Sequence, residues 1–182
     1  MPKVFAGNYA DIFDIKGKKA VVVGGAGGFG KEIAKAFAQR GVDVLISSRR
    51  EDALKAACED IKAGAAAGVK VTYSAGDAGD EETVKKMVEY TVSPEGLGGV
   101  DILVNSQGYN KKMWSWEIDT KVWNGMLNTN ITSLMFTCKY FGNWMKSNNI
   151  EGAEKVDEAN FEAGKANPNQ GYGKIGRASC RE

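Results

Sequence analysis

The residues whose types and spacing most clearly suggest chemistry in this chain are the glycines between residues 24 and 30. The segment reads GGAGGFG, and it lies between an apolar, β-branched run at residues 19–23 and a helical pattern at residues 31–40. Main-chain N–H groups that no Cβ obstructs can approach a pyrophosphate closely, and the positive end of a helix dipole adds to the attraction. The segment therefore predicts a phosphate-binding turn for a dinucleotide at a strand-to-helix junction.

Two glycine spacings fit this prediction. Gly25, Gly27 and Gly30 match the general G-x-G-x-x-G pattern, whereas Gly24, Gly28 and Gly30 match a variant with wider spacing. A glycine turn with a purely structural role is the alternative, but the strand–turn–helix order favours cofactor binding. The residues that we expect to hold the phosphates are Gly24, Gly27, Gly28, Phe29 and Gly30.

The end of the second predicted strand bears on which dinucleotide is bound. Residues 46–50 read ISSRR, without the carboxylate that would bond the ribose hydroxyls of NAD at this place. A guanidinium grips a phosphate through charge-assisted hydrogen bonds, so Ser48 and Arg49 favour NADP(H) over NAD(H). A solvated arginine pair is the alternative, and the nearby Glu51 counts against the NADP(H) preference.

Composition narrows the classes of protein that fit. The 182 residues suit one domain, which we place at residues 1–174, and 24 Lys+Arg nearly balance 23 Asp+Glu. This balance gives no general attraction to nucleic acid or to an anionic membrane. The chain has no histidine, which excludes a histidine-based triad or metal site, and we expect no metal.

The cellular setting is predicted from what the chain contains. No apolar run approaches the roughly 20 residues of a membrane span, and residues 1–19 lack a signal-peptide core. Three scattered cysteines argue against a disulfide framework and for a reducing compartment. We expect a cytoplasmic protein.

Alternating strand and helix patterns would position these residues. Near-continuous apolar strands separated by helices predict a parallel sheet covered on both faces, that is, a doubly wound α/β fold of the Rossmann type. Gly41 is expected to end the first helix and Asp80 to cap the third. The predicted strands span residues 19–23, 42–47, 69–74 and 100–105, and the predicted helices span 31–40, 51–63, 81–92 and 120–146.

Three further segments resemble motifs of one known family. They read GDAGD at residues 76–80, NSQG at residues 105–108 and NTNIT at residues 128–132. With the glycine turn, they resemble the classical short-chain dehydrogenase/reductase family, in family order and spacing, over residues 13–145. The chain departs from the family at Val23, where a Thr is usual, and at Ser106 and Gln107, where Asn and Ala are usual.

The resemblance implies roles for five residues. Asp77 and Ala78 would flank the adenine ring, Asn105 and Gly108 would support the cofactor, and Asn130 would be the catalytic Asn. Residue chemistry alone leaves other interpretations open: an Asx turn or helix cap for Asp77, and a simple strand-to-loop turn for Asn105 with Gly108.

Asn130 also stands out because it falls inside an apolar stripe of the long predicted helix. An unpaired buried amide costs about 1–3 kcal/mol, so a partner is expected. The amide either bonds to main-chain groups in the core or, as the resemblance implies, bends the helix and holds a water of a proton relay. The stripe consists of Trp123, Leu127, Leu134, Phe141 and Met145.

The activity that the resemblance implies is hydride transfer between nicotinamide and an alcohol or carbonyl carbon. The family uses a Ser, a Tyr and a Lys four residues after that Tyr, and no Tyr-x-x-x-Lys occurs in this chain. We therefore expect the chain as written to be incomplete and inactive. Two alternatives are a non-catalytic dinucleotide-binding or redox-sensing protein, and an epimerase or dehydratase on an extended form of the fold.

Partners follow from the same resemblance. We expect a small alcohol or ketone substrate, and residues 12–19 faintly resemble gluconate-type dehydrogenases, which suggests a sugar acid. Family members commonly associate through the long helix, so a homo-oligomer is expected, with Cys138, Phe141 and Trp144 facing either a partner subunit or the core.

The last part of the chain has a different character. Residues 147–172 are polar and predict a solvated insertion, and the alternative is a lid that covers the substrate. Residues 175–182 read IGRASCRE, which one reading frame of a common sequencing adapter would encode, so we expect a non-native tail there. The sheet is then expected to stop before its fifth strand.

Overall fold

The computed structural model describes residues 14–149, which form alternating strands and helices. The strands are β1 (Lys19–Val23), β2 (Asp43–Ser48), β3 (Val71–Ala75) and β4 (Ile102–Asn105). The helices are α1 (Gly28–Gln39), α2 (Glu51–Ala63), α3 (Glu81–Val92), α4 (Thr120–Leu127) and α5 (Ser133–Asn149). A 3₁₀ turn at Ser115–Glu117 precedes α4, and a π-helical turn at Asn128–Thr132 joins α4 to α5.

The four strands form one parallel sheet in the order β3-β2-β1-β4. After β3 the chain returns to the other side of β1, so the strand order reverses beside β1. At the carboxyl ends of the strands, Val23 of β1 lies opposite Ser47 of β2 on one side and opposite Asn105 of β4 on the other. The predicted parallel, doubly wound sheet is confirmed, and an order reversal of this kind opens a crevice at the carboxyl ends of the strands.

Each face of the sheet has its own apolar core. Helices α1 and α2 cover one face, where Ala34 and Leu54 pack with Val22 of β1. Helices α3 and α5 cover the other face, where Val84 and Phe141 pack in a second cluster with Val21 and Val23 of β1. Successive side chains of β1 therefore enter opposite cores, which explains why this strand is apolar throughout.

Most predicted boundaries fall within two residues of the observed ones, and those of β1 and α2 agree. The cap prediction at Asp80 is confirmed: its carboxylate accepts hydrogen bonds from the N–H of Thr83 at 2.8 Å and from the Thr83 hydroxyl at 2.6 Å. These two bonds hold the pKa of the Asp80 carboxyl below its ordinary value. Gly41, with φ of +78°, follows the end of α1 as predicted.

Two predicted helices differ from the structure. Helix α1 begins at Gly28, three residues before the predicted start, so its first turn is part of the glycine segment. The single helix predicted at residues 120–146 is interrupted by the π-helical turn at Asn128–Thr132. Directly after this turn, the hydroxyl of Ser133, the first residue of α5, donates to the carbonyl of Thr129 at 2.6 Å, a side-chain bond that competes with the regular hydrogen bonds of the helix.

The predicted apolar stripe is only partly buried. Phe141 is fully buried, but the side chains of Trp123, Leu127 and Leu134 are 51%, 41% and 36% exposed. The predicted stripe assumes a constant helical period of about 3.6 residues, whereas the wider π-helical turn rotates α5 relative to that period. Cys138 is exposed on α5, whereas Trp144 packs against the second core.

Some predictions fall beyond the described residues. Of the predicted polar insertion, residues 147–149 end α5, and the remainder lies outside residues 14–149. The tail at residues 175–182 also lies outside them, as does any fifth strand. None of the helices within the described range combines the length and apolarity that crossing a bilayer requires.

Phe141 anchors α5 to the sheet, so its truncation should be costly. Replacing Phe141 by Ala is expected to lower the free energy of unfolding by about 3–5 kcal/mol, because it removes a buried ring and leaves a cavity. Replacing Met135 by Ala, on the same helix but 51% exposed, should change it by no more than about 0.5 kcal/mol. Denaturant unfolding of the two variants checks this, and equal losses would contradict the packing described here.

Candidate functional site

A cleft of about 280 Å³ opens at the carboxyl ends of the strands. Connections that follow all four strands contribute to its walls, as does the π-helical turn with the first residue of α5. Of the residues selected from the sequence, the cleft is lined by Gly24, Gly27, Ser48, Arg49, Asp77, Ala78 and Gly108. The structure thus brings residues from four separate segments to one place.

Three glycines of the turn, Gly24, Gly25 and Gly30, are required by the packing of the protein on itself, and at Gly24 and Gly30 the nearest neighbour is main chain. A Cβ at Gly24, whose φ is +82°, would lie 2.5 Å from the main-chain nitrogen of Gln107. A Cβ at Gly30 would lie 2.4 Å from the carbonyl oxygen of Gly24. Both distances are far below van der Waals contact, so any side chain at these positions would push main-chain segments apart.

Gly27 and Gly28 are different, because a Cβ at either position would meet no atom of another segment within 4 Å among residues 14–149. Gly27 lines the cleft and directly precedes α1, whose first N–H groups have no partner within the helix. Gly28 has a φ of +54°. Positive φ at Gly24 and Gly28 favours the wider of the two glycine spacings.

The turn is held in place by both neighbouring strands. The N–H groups of Gly24 and Gly25 donate to the carbonyl of Ser47 at 2.7 and 3.1 Å, and the N–H of Ser106 donates to the carbonyl of Val23 at 2.8 Å. The side chain of Phe29 extends into solvent, 86% exposed, so only its main chain belongs to the turn. The start of the turn is therefore bonded to the neighbouring strand β2, whereas residues 27–29 are exposed to solvent.

At the end of β2, Arg49 is an exposed cation on the cleft wall and forms no ion pair with any residue in the described range. Glu51 is engaged elsewhere: its carboxylate accepts from Lys55 at 2.9 Å and from the Tyr73 hydroxyl at 3.3 Å. The Lys55 ammonium and then the Tyr73 hydroxyl hold the pKa of this carboxyl below its ordinary value. Both partners of Glu51 thus keep it charged on the surface of α2.

After β3, Asp77 and Ala78 form another wall of the cleft. One carboxylate oxygen of Asp77 accepts from the N–H of Gly79 at 2.9 Å, which is the Asx turn that its residue type allows. The capping role belongs to Asp80. The Asn128 amide packs over this turn, since a Cβ at Gly79 would lie 2.1 Å from its nitrogen.

Asn105 lies at the end of β4, but its side chain does not line the cleft. Its Oδ1 accepts from the Thr137 hydroxyl at 2.8 Å, and its Nδ2 lies 3.5 Å from the sulfur of Cys138. Thr137 is fully buried. Asn105 therefore ties the end of β4 to α5.

Asn130 binds main-chain groups of the loop that follows β4. Its Oδ1 accepts from the N–H of Tyr109 at 2.9 Å, and its Nδ2 donates to the carbonyl of Tyr109 at 2.8 Å. The main-chain bonding that the residue type allows is thus observed, in a half-buried position inside the π-helical turn. Asn130 does not line the cleft itself, but it fixes the residue next to Gly108, which does.

Sequence reasoning missed part of the lining. The missed residues are Val23, Gly76, Ser106, Gln107, Thr129 and Ser133. For Thr129 and Ser133 a signal existed, because small hydroxyl residues four positions apart share one face of a helix. Gln107 was visible as a departure from a motif, but its neighbours come from a segment 26 residues away.

Comparisons with known proteins place these features in context. A family model described as short chain dehydrogenase matches residues 18–153. The glucose 1-dehydrogenase of Gluconobacter oxydans is 32% identical over 151 residues, which cover 83% of this chain and 54% of that protein.

Solved structures give the same result. The L-sorbose reductase from Gluconobacter frateurii, complexed with NADPH and L-sorbose, is similar with a TM-score of 0.67 and 29% identity, covering 73% of this chain and 49% of that one. A short-chain type dehydrogenase/reductase from Mycobacterium marinum is similar with a TM-score of 0.72 and 26% identity, covering 80% and 57%. The chain thus spans about half the length of the relatives that it matches.

Replacement by alanine should affect stability at Gly30, which packs against main chain, and ligand binding at Gly27, which lines the cleft. Gly30→Ala forces a Cβ against main chain and is expected to lower the free energy of unfolding by about 1–3 kcal/mol. Gly27→Ala meets open space and should leave the unfolding free energy almost unchanged, while reducing the affinity for any phosphate-bearing ligand of the cleft at least tenfold. Denaturant unfolding and NADP⁺ titration of both variants check this, and a Gly27→Ala variant that binds as tightly as the wild type would contradict it.

Proposed function

The chain belongs to the short-chain dehydrogenase family, and from this premise we propose that its protein is an NADP(H)-dependent oxidoreductase acting on an alcohol or carbonyl substrate. The observation that carries the proposal is the open edge of the glycine turn beside a guanidinium that has no ion-pair partner in the part of the chain that the structure describes. Gly27 and Gly28 leave space that no side chain or neighbouring segment within residues 14–149 fills, and Arg49 lines the same cleft.

The turn fits a pyrophosphate by its geometry. Gly24 and Gly30 lack side chains because main chain packs against them, but no such packing explains why Gly27 is bare. A phosphate oxygen approaching the first N–H groups of α1 would need this open surface and would gain from the helix dipole. We assign the pyrophosphate to this turn, bound through main-chain N–H groups of residues 27–30.

The preference for NADP(H) rests on charge at the end of β2. A 2′-phosphate on the adenosine ribose would meet Arg49 and the hydroxyl of Ser48, while the nearby Glu51 does not line the cleft and has its charge balanced by Lys55. The L-sorbose reductase to which the chain is similar is complexed with NADPH, which agrees with this choice. The adenine ring would lie against Asp77 and Ala78.

The nicotinamide half is assigned to the end of β4, on the other side of the order reversal. Bound NADP(H) would supply the carbon that gives or accepts hydride. In this chain, Asn130 would fix the loop at Tyr109 and Gly108 and hold a water for proton transfer, and Asn105 would keep the strand end against α5. No Tyr-x-x-x-Lys occurs in the sequence, so we assign the Tyr and Lys of the family's reaction to none of its residues.

The substrate class is proposed from the relatives. Two of the similar proteins are a glucose 1-dehydrogenase and an L-sorbose reductase complexed with L-sorbose. We therefore propose a polyhydroxylated substrate, a sugar or a sugar acid, oxidised or reduced at one hydroxyl-bearing or carbonyl carbon.

Arg49 and its neighbour Arg50 offer a matched test of cofactor choice. Replacing Arg49 by Ala is expected to weaken NADPH binding roughly 10- to 100-fold, because hydrogen bonds to a charged group contribute about 1.5–3 kcal/mol each, and to leave NADH binding unchanged. Arg50→Ala removes another exposed cation, one that does not line the cleft, and should have little effect on either nucleotide.

Titration of the purified variants with NADPH and NADH measures both affinities. The NADP(H) assignment would be wrong if Arg49→Ala weakened both nucleotides equally or if Arg50→Ala matched it. A wild-type chain that binds neither nucleotide would overturn the dinucleotide site itself.

A further inference from the structure

Gln107 is in contact with two walls of the cleft. Its main chain packs against the glycine turn, because a Cβ at Gly24 would lie 2.5 Å from the main-chain nitrogen of Gln107. Its side chain bonds to the opposite wall, where Nε2 donates to the hydroxyl of Ser133, the first residue of α5, at 2.9 Å. Both Gln107 and Ser133 line the cleft. This residue therefore connects the phosphate turn with the wall formed by α5.

The bond from Gln107 continues into the π-helical turn. The hydroxyl of Ser133 accepts from Gln107 and donates to the carbonyl of Thr129 at 2.6 Å. Ser133 is only 1% exposed, so this hydroxyl is shielded from water. A hydroxyl that accepts one hydrogen bond and donates another strengthens both. The side chain of Gln107 thus holds the start of α5 and the end of the π-helical turn to the loop after β4.

Other side-chain bonds fix neighbouring parts of this wall. Thr137, one turn further along α5, donates to Asn105, and Asn130 bonds to the main chain of the loop. Within residues 14–149, only the amide of Gln107 bonds from this loop to the hydroxyl of Ser133. An Ala at residue 107, which is usual in the family, could not make this bond.

We propose that Gln107 is a positioning residue, which fixes the separation between the glycine turn and the start of α5 and thereby raises the affinity for the nicotinamide half of the dinucleotide. This inference rests on the proposed function, which assigns NADP(H) to the cleft. Gln107 acts through Ser133 and through its own packing against the glycine turn, and it needs no contact with the nucleotide. Without the bond, the wall would have to be ordered when the nucleotide binds, which costs affinity.

The two halves of the dinucleotide depend on this bond to different degrees. The proposed function places the adenosine half against residues that follow β2 and β3, which are Ser48, Arg49, Asp77 and Ala78. The bond of Gln107 joins none of these to another segment. The nicotinamide half is assigned to the end of β4, beside the loop that Gln107 holds. Loss of the bond should therefore weaken NADP⁺, which occupies both places, more than 2′,5′-ADP, which carries the adenosine half alone.

Two substitutions of Gln107 test this difference. Gln107→Met keeps the size of the side chain and removes the donor, and Gln107→Ala removes both and serves as a second variant if the Met variant folds poorly. Each is expected to weaken NADP⁺ binding roughly three- to tenfold, the factor that loss of one neutral hydrogen bond produces. The affinity for 2′,5′-ADP should stay within about twofold of the wild type. Equilibrium titrations of the full chain measure both.

Ser133→Ala removes the other partner of the bond. It is expected to weaken NADP⁺ binding by a similar factor, and combining it with Gln107→Met should cause little further loss, because both residues act through one bond. If the two losses multiply in the double variant, the bond between these residues is not what maintains the affinity.

Ile61→Val is the control for a general loss of stability. Ile61 is fully buried in the core on the α1 and α2 side of the sheet and does not line the cleft. Removal of one buried methylene group should lower the unfolding midpoint. It should leave the affinities for NADP⁺ and for 2′,5′-ADP within about twofold of the wild type.

Three further results would overturn the inference: unchanged NADP⁺ binding by both Gln107 variants, an equal loss of 2′,5′-ADP binding, or the same selective loss in Ile61→Val. If the wild type binds neither nucleotide, the proposed function fails before any variant is compared, so the two failures are distinguishable.

Discussion

The contact on which the site depends is main chain against main chain, between the glycine turn after β1 and the loop after β4. The absence of a side chain at Gly24 lets Gln107 approach to a distance that a single Cβ would prevent. The N–H of Ser106 closes the same junction on the carbonyl of Val23. Where the family usually has a Thr hydroxyl, Val23 offers none, so here the junction is secured by main-chain bonds and close packing.

From this junction, polar side chains extend the fixed geometry to the helix on the far side of the cleft. Asn105 and Thr137 join the end of β4 to α5, Gln107 and Ser133 join the next loop to the start of α5, and Asn130 joins the π-helical turn to Tyr109. These bonds link segments more than 20 residues apart in the sequence. They define the wall opposite the phosphate turn, so the width of the cleft is set by hydrogen bonds as much as by packing.

The sequence predicts the sheet, its parallel direction and the cluster of loops at one edge, because apolar runs and glycine positions are local signals. It also predicts the Asp80 cap, which depends on residues three apart. It predicts that Asn105 supports the cofactor, but it does not predict the bond from Thr137 that holds this side chain, because the two residues are 32 positions apart. It predicts one uninterrupted helix where a π-helical turn occurs, because a constant helical period does not include the side-chain bond of Ser133 to the main chain. Distance along the chain also explains why Gln107 could be seen as unusual but not as part of a wall.

The number of residues in the π-helical turn fixes how α5 is rotated relative to α4. In an α-helix each residue advances the direction of its side chain by about 100°. Removal of one residue from the segment at residues 128–132 would rotate α5 by roughly that angle relative to α4. Phe141 could then remain in its core only if Asn130 left its loop, or the reverse. Substitutions should therefore be tolerated at many positions of α4 and α5, whereas insertions and deletions of one residue between the two helices should be selected against.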